Sequence, residues 1–320
     1  MARRRKGRPV DGIFLLDKPQ GVSSNGILQR VKRIYDAAKA GHTGALDPLA
    51  TGMLPITFGE ATKFSQFLLD ANKRYITTAK LGIRTDTSDA DGEVIATADV
   101  PKLELSELRK LLDQHFTGEI EQVPSMYSAL KHQGQPLYKL ARAGKTVEVK
   151  PRRVTVFQID ILDLRDDEVD FDIRCSKGTY IRSIVEDLGL LLSCGAHVKM
   201  LRRLDSGPYR AEQMLTIDQL ESLAAPKADN ESVESIQMRL DALLLAPWSA
   251  IEDAPVVQLD QLATERLLNG IAADVSAAPC ELVRIENGTT GQFLGIGEVT
   301  DEGKLKSKRL LSTQTAPKSF

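Results

Sequence analysis

Residues 41–52 restrict the backbone more than any other stretch of this chain. They read GHTGALDPLATG, and the three glycines permit positive φ angles or the close approach of another backbone segment. Pro48 fixes its own φ and drives Asp47 towards an extended conformation. The run therefore holds one carboxylate on a bent, defined backbone. Two interpretations follow. Asp47 could cap a helix with Pro48 at its first position, which is common, or it could be held in place for a reaction.

The composition is that of a globular chain with room for two domains. Of its 320 residues, 42% are hydrophobic and 27% are charged. Three widely spaced cysteines, no CxxC motif and no apolar run of membrane-spanning length predict a cytoplasmic protein without a metal site or a membrane partner. The net charge is −2, so any nucleic-acid surface requires segregated charge.

Hydrophobic periodicity predicts alternating strands and helices, and therefore an α+β fold. The predicted strands lie near residues 12–16, 53–57, 73–81, 154–164, 169–176 and 195–204, and the helices near 23–34, 60–70, 105–115 and 179–192. An acidic stretch, residues 218–260, predicts a helical connector that ends near residue 250. The remainder, with one helix and short strands, is long enough for a small β module.

Three polar segments allow more than one interpretation. Residues 1–10 form a basic arm, either a solvated tail or an auxiliary phosphate contact. Residues 124–153 contain seven Lys or Arg against one acid, Glu148, with interleaved tyrosines, which suits a looped RNA partner or a merely solvated excursion. Residues 85–92 contain three aspartates, but the glycine of a calcium-binding loop is misplaced, so we expect no calcium there.

The segment KGTYIRS, residues 177–183, leads into a predicted helix. Gly178 permits a sharp entry and Thr179 is the expected N-cap. Arg182 then lies in the first helical turn, where the helix dipole disfavours a cation. Either it pairs with a specific anion, or it is an exposed arginine with a free head group.

Five motifs together resemble those of a known family. They are DKPQGVSS at 17–24, GHTGALDPLATG at 41–52, GEATK at 59–63, KRY at 73–75 and CSKGTYIR at 175–182. In order and spacing they are similar to bacterial tRNA pseudouridine-55 synthases of the TruB type, from about residue 11 to the end of the chain. The resemblance implies a mixed, largely antiparallel sheet flanked by helices, with a small β-rich PUA-like domain. It also implies the division into a basic flexible arm (1–10), a catalytic domain (11–250) with an RNA-binding insert (about 124–153), and a PUA-like RNA-binding domain (251–315).

The activity implied by the resemblance is isomerisation of uridine 55 in the T loop of tRNA to pseudouridine, without a cofactor. The base is flipped, and the glycosidic bond is cleaved and re-formed with the help of an aspartate; assistance with tRNA folding is a second implied activity. Asp47 matches the catalytic aspartate, Arg182 the arginine that pairs with it, and Tyr75 the tyrosine that stacks on the uracil. Contacts to the substrate fall on His42, Tyr180 and the backbone of Leu201. Without the family, Tyr75, Tyr180 and Leu201 would each be read as a structural residue, and His42 as one bonded within its glycine-rich turn.

The insert is expected to contact the RNA backbone through Arg142, Lys145, Arg152 and Arg153. The expected partner is the T arm of tRNA, bound by a monomer without a guide RNA. Two other possibilities are a tRNA-binding protein without activity and the guide-RNA-directed branch of the family. The sequence leaves open whether Asp47 acts as nucleophile or base, and which group relays the C5 proton.

Overall fold

The computed structural model describes residues 7–128, 130–145 and 147–312. Within these ranges the α-helices are α1 (Ser24–Ile34), α2 (Ser65–Asp70), α3 (Leu105–His115), α4 (Leu137–Arg142), α5 (Ile181–Leu191), α6 (Ile217–Ala224), α7 (Val233–Asp241) and α8 (Gln261–Leu268). The strands are β1 (Gly12–Lys18), β2 (Ala40–His42), β3 (Thr51–Phe58), β4 (Lys73–Leu81), β5 (Ile83–Thr85), β6 (Val94–Thr97), β7 (Gly118–Gln122), β8 (Lys131–His132), β9 (Gln135–Pro136), β10 (Arg152–Leu164), β11 (Glu168–Cys175), β12 (Ala196–Ser206), β13 (Leu215–Thr216), β14 (Val256–Leu259), β15 (Ala273–Asp274), β16 (Cys280–Asn287), β17 (Phe293–Val299) and β18 (Lys304–Leu310).

A nine-stranded sheet organises the larger part of the chain. Its order is β13-β1-β3-β12-β4-β11-β10-β7, with β2 paired to β3 at the side. Only the pairs β1–β13 and β3–β12 are parallel; every other neighbouring pair is antiparallel. The predicted α+β fold with a mixed, largely antiparallel sheet is therefore confirmed.

Helices cover the two halves of this sheet with separate hydrophobic cores. Helices α3 and α5 pack on β4, β10 and β11, while α1, α6 and α7 pack on β1 and β3. Helix α1 shows how the sequence specifies such an element. The hydroxyl of Ser23 accepts the amide of Gly26 at 3.0 Å, and Ile27, Leu28 and Val31 form the buried face, as their spacing predicts.

The C-terminal strands form a second sheet, in the order β14-β16-β17-β18-β15. This sheet contacts the larger part through the 3₁₀ segment Gly59–Phe64, which follows β3 directly. The rings of Phe64 and Phe293 lie 5.5 Å apart, Lys63 Nζ donates to the carbonyl of Leu310 at 2.9 Å, and the amide of Ser312 donates to Glu60. The β-rich C-terminal region is confirmed, while its boundary near residue 250 stays a prediction.

The expectation of a flexible arm up to residue 10 does not hold for residues 8–10. The guanidinium of Arg8 forms an ion pair with Asp241 at 2.6 Å and donates to the carbonyl of Tyr35 at 2.9 Å. Val10 is buried. Specific pairing with α7 therefore holds this end of the described chain. No helix in the described ranges combines the length and the hydropathy needed to cross a lipid bilayer.

Candidate active site

The loop between β2 and β3 carries Asp47, and no helix follows it. The capping interpretation of Asp47 is therefore wrong. Hydrogen bonds to neighbouring segments hold the loop after the aspartate. Gly21 N donates to the carbonyl of Pro48 at 2.8 Å, and Ala50 N donates to that of Asp47 at 3.1 Å. The fully buried Lys18 donates from Nζ to the carbonyl of Ala50 at 2.6 Å. The restricted backbone therefore fixes the position of the Asp47 side chain and does not begin a helix.

Arg182 meets Asp47 in an ion pair, with 2.9 Å between Nη2 and Oδ2. The arginine lies in the first turn of α5, and its side chain is 4% exposed, whereas that of Asp47 is 39% exposed. The predicted N-cap Thr179 is wrong, because its hydroxyl donates to Ser176 and Tyr180 occupies the capping position. The helix thus places a buried cation behind a carboxylate that is only partly exposed.

A second carboxylate, Asp89, lies on the other side of the same guanidinium. Its Oδ2 is 3.4 Å from Arg182 Nη1, and the side chain is 6% exposed. Arg182 also donates to the carbonyls of Thr87 at 2.9 Å and Tyr127 at 3.1 Å. The sequence did not identify Asp89 as a site residue. The sequence signal for Asp89 is the cluster of aspartates in residues 85–92, and this cluster suggests a calcium loop rather than a partner for Arg182.

Burial raises the pKa of the Asp47 carboxyl above its ordinary value. The nearby cations Arg182 and Lys18 oppose this shift, and the carboxylates of Asp89 and Asp91 add to it. Burial also lowers the pKa of Lys18 to about 8, although the charge of Asp47 acts in the opposite direction. The protonation of Asp47 is therefore set by competing neighbours.

Tyr75 lies on β4 and is buried, with 9% of its surface exposed. It shares a hydrophobic cluster with Leu46 and Ile181, which flank Asp47 and Arg182 in sequence. Burial raises the pKa of the Tyr75 hydroxyl, the Arg203 guanidinium opposes this, and the charge of Asp47 adds to it. The structure thus brings Asp47, Arg182 and Tyr75 to one place.

His42 ends β2 on the same loop, where burial and the charge of Arg203 lower its imidazole pKa. Its Nδ1 is buried and has no hydrogen-bond partner among the described residues. The alternative of a histidine bonded within its glycine-rich turn therefore finds no support at this atom. A buried ring nitrogen without a partner calls for an explanation other than packing within the turn.

Tyr180 and Leu201 border the site from α5 and β12. The backbone N and O of Tyr180 are both bonded to the side chain of Gln122, at 3.0 and 3.2 Å. Leu201 is buried, pairs with Thr77 in the ladder between β12 and β4, and shares a hydrophobic cluster with Tyr75. The two residues lie on elements that also carry Arg182 and Arg203.

The four basic residues predicted to contact RNA differ in their surroundings. The side chain of Arg142 lies outside the described residues, and Lys145 is exposed. Arg152 is half-buried where β10 begins. Arg153 is exposed but lies 3.4 Å from Glu119 and 3.6 Å from Glu121 on the adjacent strand, so its charge is partly balanced.

Two deeply buried cations, Lys18 and Arg203, were not expected at the site. Lys18 belongs to a motif noted in the sequence, but nothing there indicates that it is fully buried. Arg203 lies in a strand with several basic residues, where only the pleat of the folded strand distinguishes an inward arginine from an outward one. Both donate to carbonyls near the Asp47 loop.

Known proteins are similar to the whole chain. Family models match residues 32–181 (TruB family pseudouridylate synthase, N-terminal domain), 182–264 (tRNA pseudouridylate synthase B C-terminal domain) and 255–311 (Pseudouridine synthase II TruB, C-terminal). Two proteins named tRNA pseudouridine synthase B are 54% identical (Shewanella sp. strain MR-7) and 51% identical (Vibrio atlanticus strain LGP32). Each alignment covers 97% of both chains.

Solved structures share the fold. A chain from a Cbf5–Nop10–Gar1 complex superposes with a TM-score of 0.69 at 25% sequence identity, covering 93% of this chain and 84% of the other. A chain from an archaeal box H/ACA sRNP Nop10–Cbf5 complex gives 0.68 at 23% identity, covering 100% and 96%. The fold of this chain therefore recurs in other proteins.

Proposed function

The chain belongs to the TruB family of pseudouridylate synthases, and we propose that it isomerises the uridine at position 55 in the T loop of tRNA. The observation that carries this proposal is the ion pair between Asp47 and the buried Arg182. The relatives are named as tRNA enzymes, which favours tRNA as the substrate here too.

The proposed isomerisation of uridine to pseudouridine requires few catalytic groups. The bond between N1 and the ribose carbon breaks, the uracil turns, and C5 bonds to the same carbon, while the C5 proton leaves and N1 gains one. Atoms and electrons balance without an oxidant or a donor, so the reaction needs no cofactor. Asp47 is proposed to act ionised at the sugar, either by adding to the ribose carbon or by taking a 2′ proton. Burial raises the pKa of Asp47 and so favours its protonated form, and the charge of Arg182 opposes this shift.

The target base must leave the loop of a folded RNA, at a cost of a few kcal/mol. Tyr75 is proposed to stack on the flipped uracil, and Tyr180 and the backbone of Leu201 to contact it. His42 is proposed to enter the gap that the base leaves. Burial and the charge of Arg203 lower the imidazole pKa, which favours the neutral ring for this role.

RNA contacts outside the pocket are proposed for the insert at 124–153 and for the C-terminal region, 251–315. The acidic residues 218–260 stay away from the RNA, which reconciles RNA binding with a net charge of −2. We propose that the protein acts as a monomer in the cytoplasm, without a guide RNA, and that it also assists tRNA folding.

The test is mass-spectrometric mapping of pseudouridine in an unmodified tRNA transcript incubated with the purified protein alone. We expect conversion of one T-loop uridine by the parent protein and none by Asp47→Asn, with similar RNA affinity for both. Binding without conversion by the parent would favour the RNA-binding protein instead. Conversion only after a guide RNA is added would place the chain in the guide-directed branch.

A further inference from the structure

Arg203 is a buried cation without an acidic partner. It is 1% exposed, and it forms no ion pair with any carboxylate in the described ranges 7–128, 130–145 and 147–312. Its neighbour Arg202 does the opposite, since it pairs with Asp17 at 2.7 Å. Burying an unpaired charge opposes folding. The position of Arg203 therefore requires an explanation beyond packing.

The guanidinium of Arg203 connects the two ends of the Asp47 loop. Its Nη2 donates to the carbonyl of Gly44 at 3.0 Å, before the aspartate, and its Nε donates to that of Met53 at 2.6 Å, after it. The backbone of Arg203 also lies against Gly52, where a Cβ would be 2.2 Å from the Arg203 carbonyl oxygen. One residue thus fixes the loop at both ends.

The same guanidinium lies beside Tyr75. Arg203 and Tyr75 are directly opposed in the antiparallel pair of β12 and β4, so their side chains share a face of the sheet. The charge of Arg203 acts to lower the pKa of the Tyr75 hydroxyl, against the effect of burial. The pairing thus places a permanently charged guanidinium on the same face of the sheet as the phenol.

We propose that Arg203 is a positioning residue that fixes the Asp47 loop relative to the Tyr75 hydroxyl. This inference rests on the function proposed above. Arg203 acts through the two residues that meet the nucleotide: the guanidinium holds the loop at Gly44 and Met53, and its charge faces the phenol across the strand pair.

The first measurement needs no RNA. Tyrosine labelled with ¹³C at Cζ reports the titration of each hydroxyl by NMR, and Tyr75→Phe identifies the signal of Tyr75. We expect Arg203→Met to raise the pKa of Tyr75, and Arg203→Lys to raise it less, because lysine keeps the charge but not the planar fork. Arg202→Met is the matched control and should leave the signal in place. A Tyr75 titration that is the same in the parent and both Arg203 variants would overturn the coupling.

The second measurement is the single-turnover rate at saturating T-arm RNA, from tritium release at C5. We expect a loss of about 100-fold for Arg203→Met, the size typical of a small misplacement of reacting groups. Arg203→Lys should lose less, RNA affinity should change little, and Arg202→Met should retain the parent rate. If Arg203→Met does not fold, Arg203→Lys provides the comparison.

A double-mutant cycle separates positioning from general support of the fold. In a Tyr75→Phe background, the further loss caused by Arg203→Lys should shrink, because both residues act through one contact. Full additivity, or a loss that follows thermal stability alone, would overturn the proposal. If the parent protein does not convert T-arm RNA, the proposed function fails, and the NMR result still decides whether Arg203 and Tyr75 are coupled.

Discussion

At the residue scale, two carboxylates share the Arg182 guanidinium, and this sharing sets the charge of Asp47. Arg182 is deeply buried, and Asp89 and Asp47 lie on either side of it at 3.4 and 2.9 Å. One carboxylate balances the charge of one guanidinium, so the second carboxylate leaves an excess of negative charge around Arg182. The Arg182 guanidinium lowers the pKa of Asp47, and the Asp89 carboxylate raises it. The pKa of the catalytic candidate therefore depends on neighbours that do not touch the substrate.

The acid limb of the pH–rate profile should report this balance. In the proposed mechanism Asp47 acts ionised, so the rate should fall as the pH drops through its raised pKa. Arg182→Met removes a cation that lowers this pKa, so the limb should move to higher pH, and the maximal rate should fall by about 100-fold or more. Asp91→Asn removes a charge that raises the pKa, so its limb should move to lower pH. Single-turnover rates between pH 4 and 9 measure both. A shift of the acid limb in the same direction in both variants would contradict this account.

At the element scale, the start of α5 depends on the strand that precedes the insert. Tyr180 caps α5 without a side-chain hydrogen bond, and the amide of the buried Gln122 bonds both its N and its O. Ser183 donates to the carbonyl of Val123 at 3.2 Å, and Arg182 donates to that of Tyr127. The end of β7 and the beginning of the insert thus fix the turn that carries Arg182, the proposed partner of Asp47.

Gln122→Met tests this dependence, because methionine fills a similar volume without hydrogen bonds. Two backbone groups of Tyr180 lose their partner, which should destabilise the protein by about 1–3 kcal/mol. The single-turnover rate should fall, because the first turn of α5 no longer holds Arg182 in place, while RNA affinity stays close to that of the parent. Gln158→Met, on the exposed side of β10, is the matched control. Denaturant unfolding and tritium release are the measurements; an unchanged rate at reduced stability would show that Gln122 supports the fold alone.

The strands also show where the sequence was informative and where it was not. The motif around Asp47 and the placement of Arg182 in a first turn are local signals that single out both side chains. Each signal also allowed a structural interpretation, and the roles of the two residues came from the family resemblance. Arg202 and Arg203 are adjacent and have the same side chain, so only the alternation of side chains between the two faces of the strand distinguishes them. Irregularities between Val198 and Met200 and between Arg203 and Asp205 shift the alternation of β12. The inward position of Arg203 therefore could not be read from hydrophobic periodicity.

At the scale of the whole molecule, charge and contacts are distributed unevenly. The sequence predicted the C-terminal strands, because their alternation is local, but not their contact with Gly59–Phe64. That contact depends on the carbonyl of Leu310 and the ring of Phe293, which meet Lys63 and Phe64 only in the folded chain. The acidic connector and the basic insert are, by contrast, visible in the sequence as separate blocks. Since the net charge is close to zero, RNA binding must depend on such local blocks.

Salt dependence of RNA binding tests the role of the insert. Each phosphate contact that is lost lowers the slope of log Kd against log salt by about 0.7–0.9, so replacing four contacts with alanine should flatten it clearly. The variant changes Arg142, Lys145, Arg152 and Arg153 together. Arg153 should contribute least, because Glu119 and Glu121 already face it.

A control of equal charge replaces four exposed residues elsewhere: Arg33, Lys102, Lys110 and Lys227. The rate on saturating RNA should match that of the parent in both, since the proposed contacts are to the RNA backbone and not to the reacting nucleotide. A slope equal to that of the control would remove the insert from the RNA interface and leave the C-terminal region as the alternative.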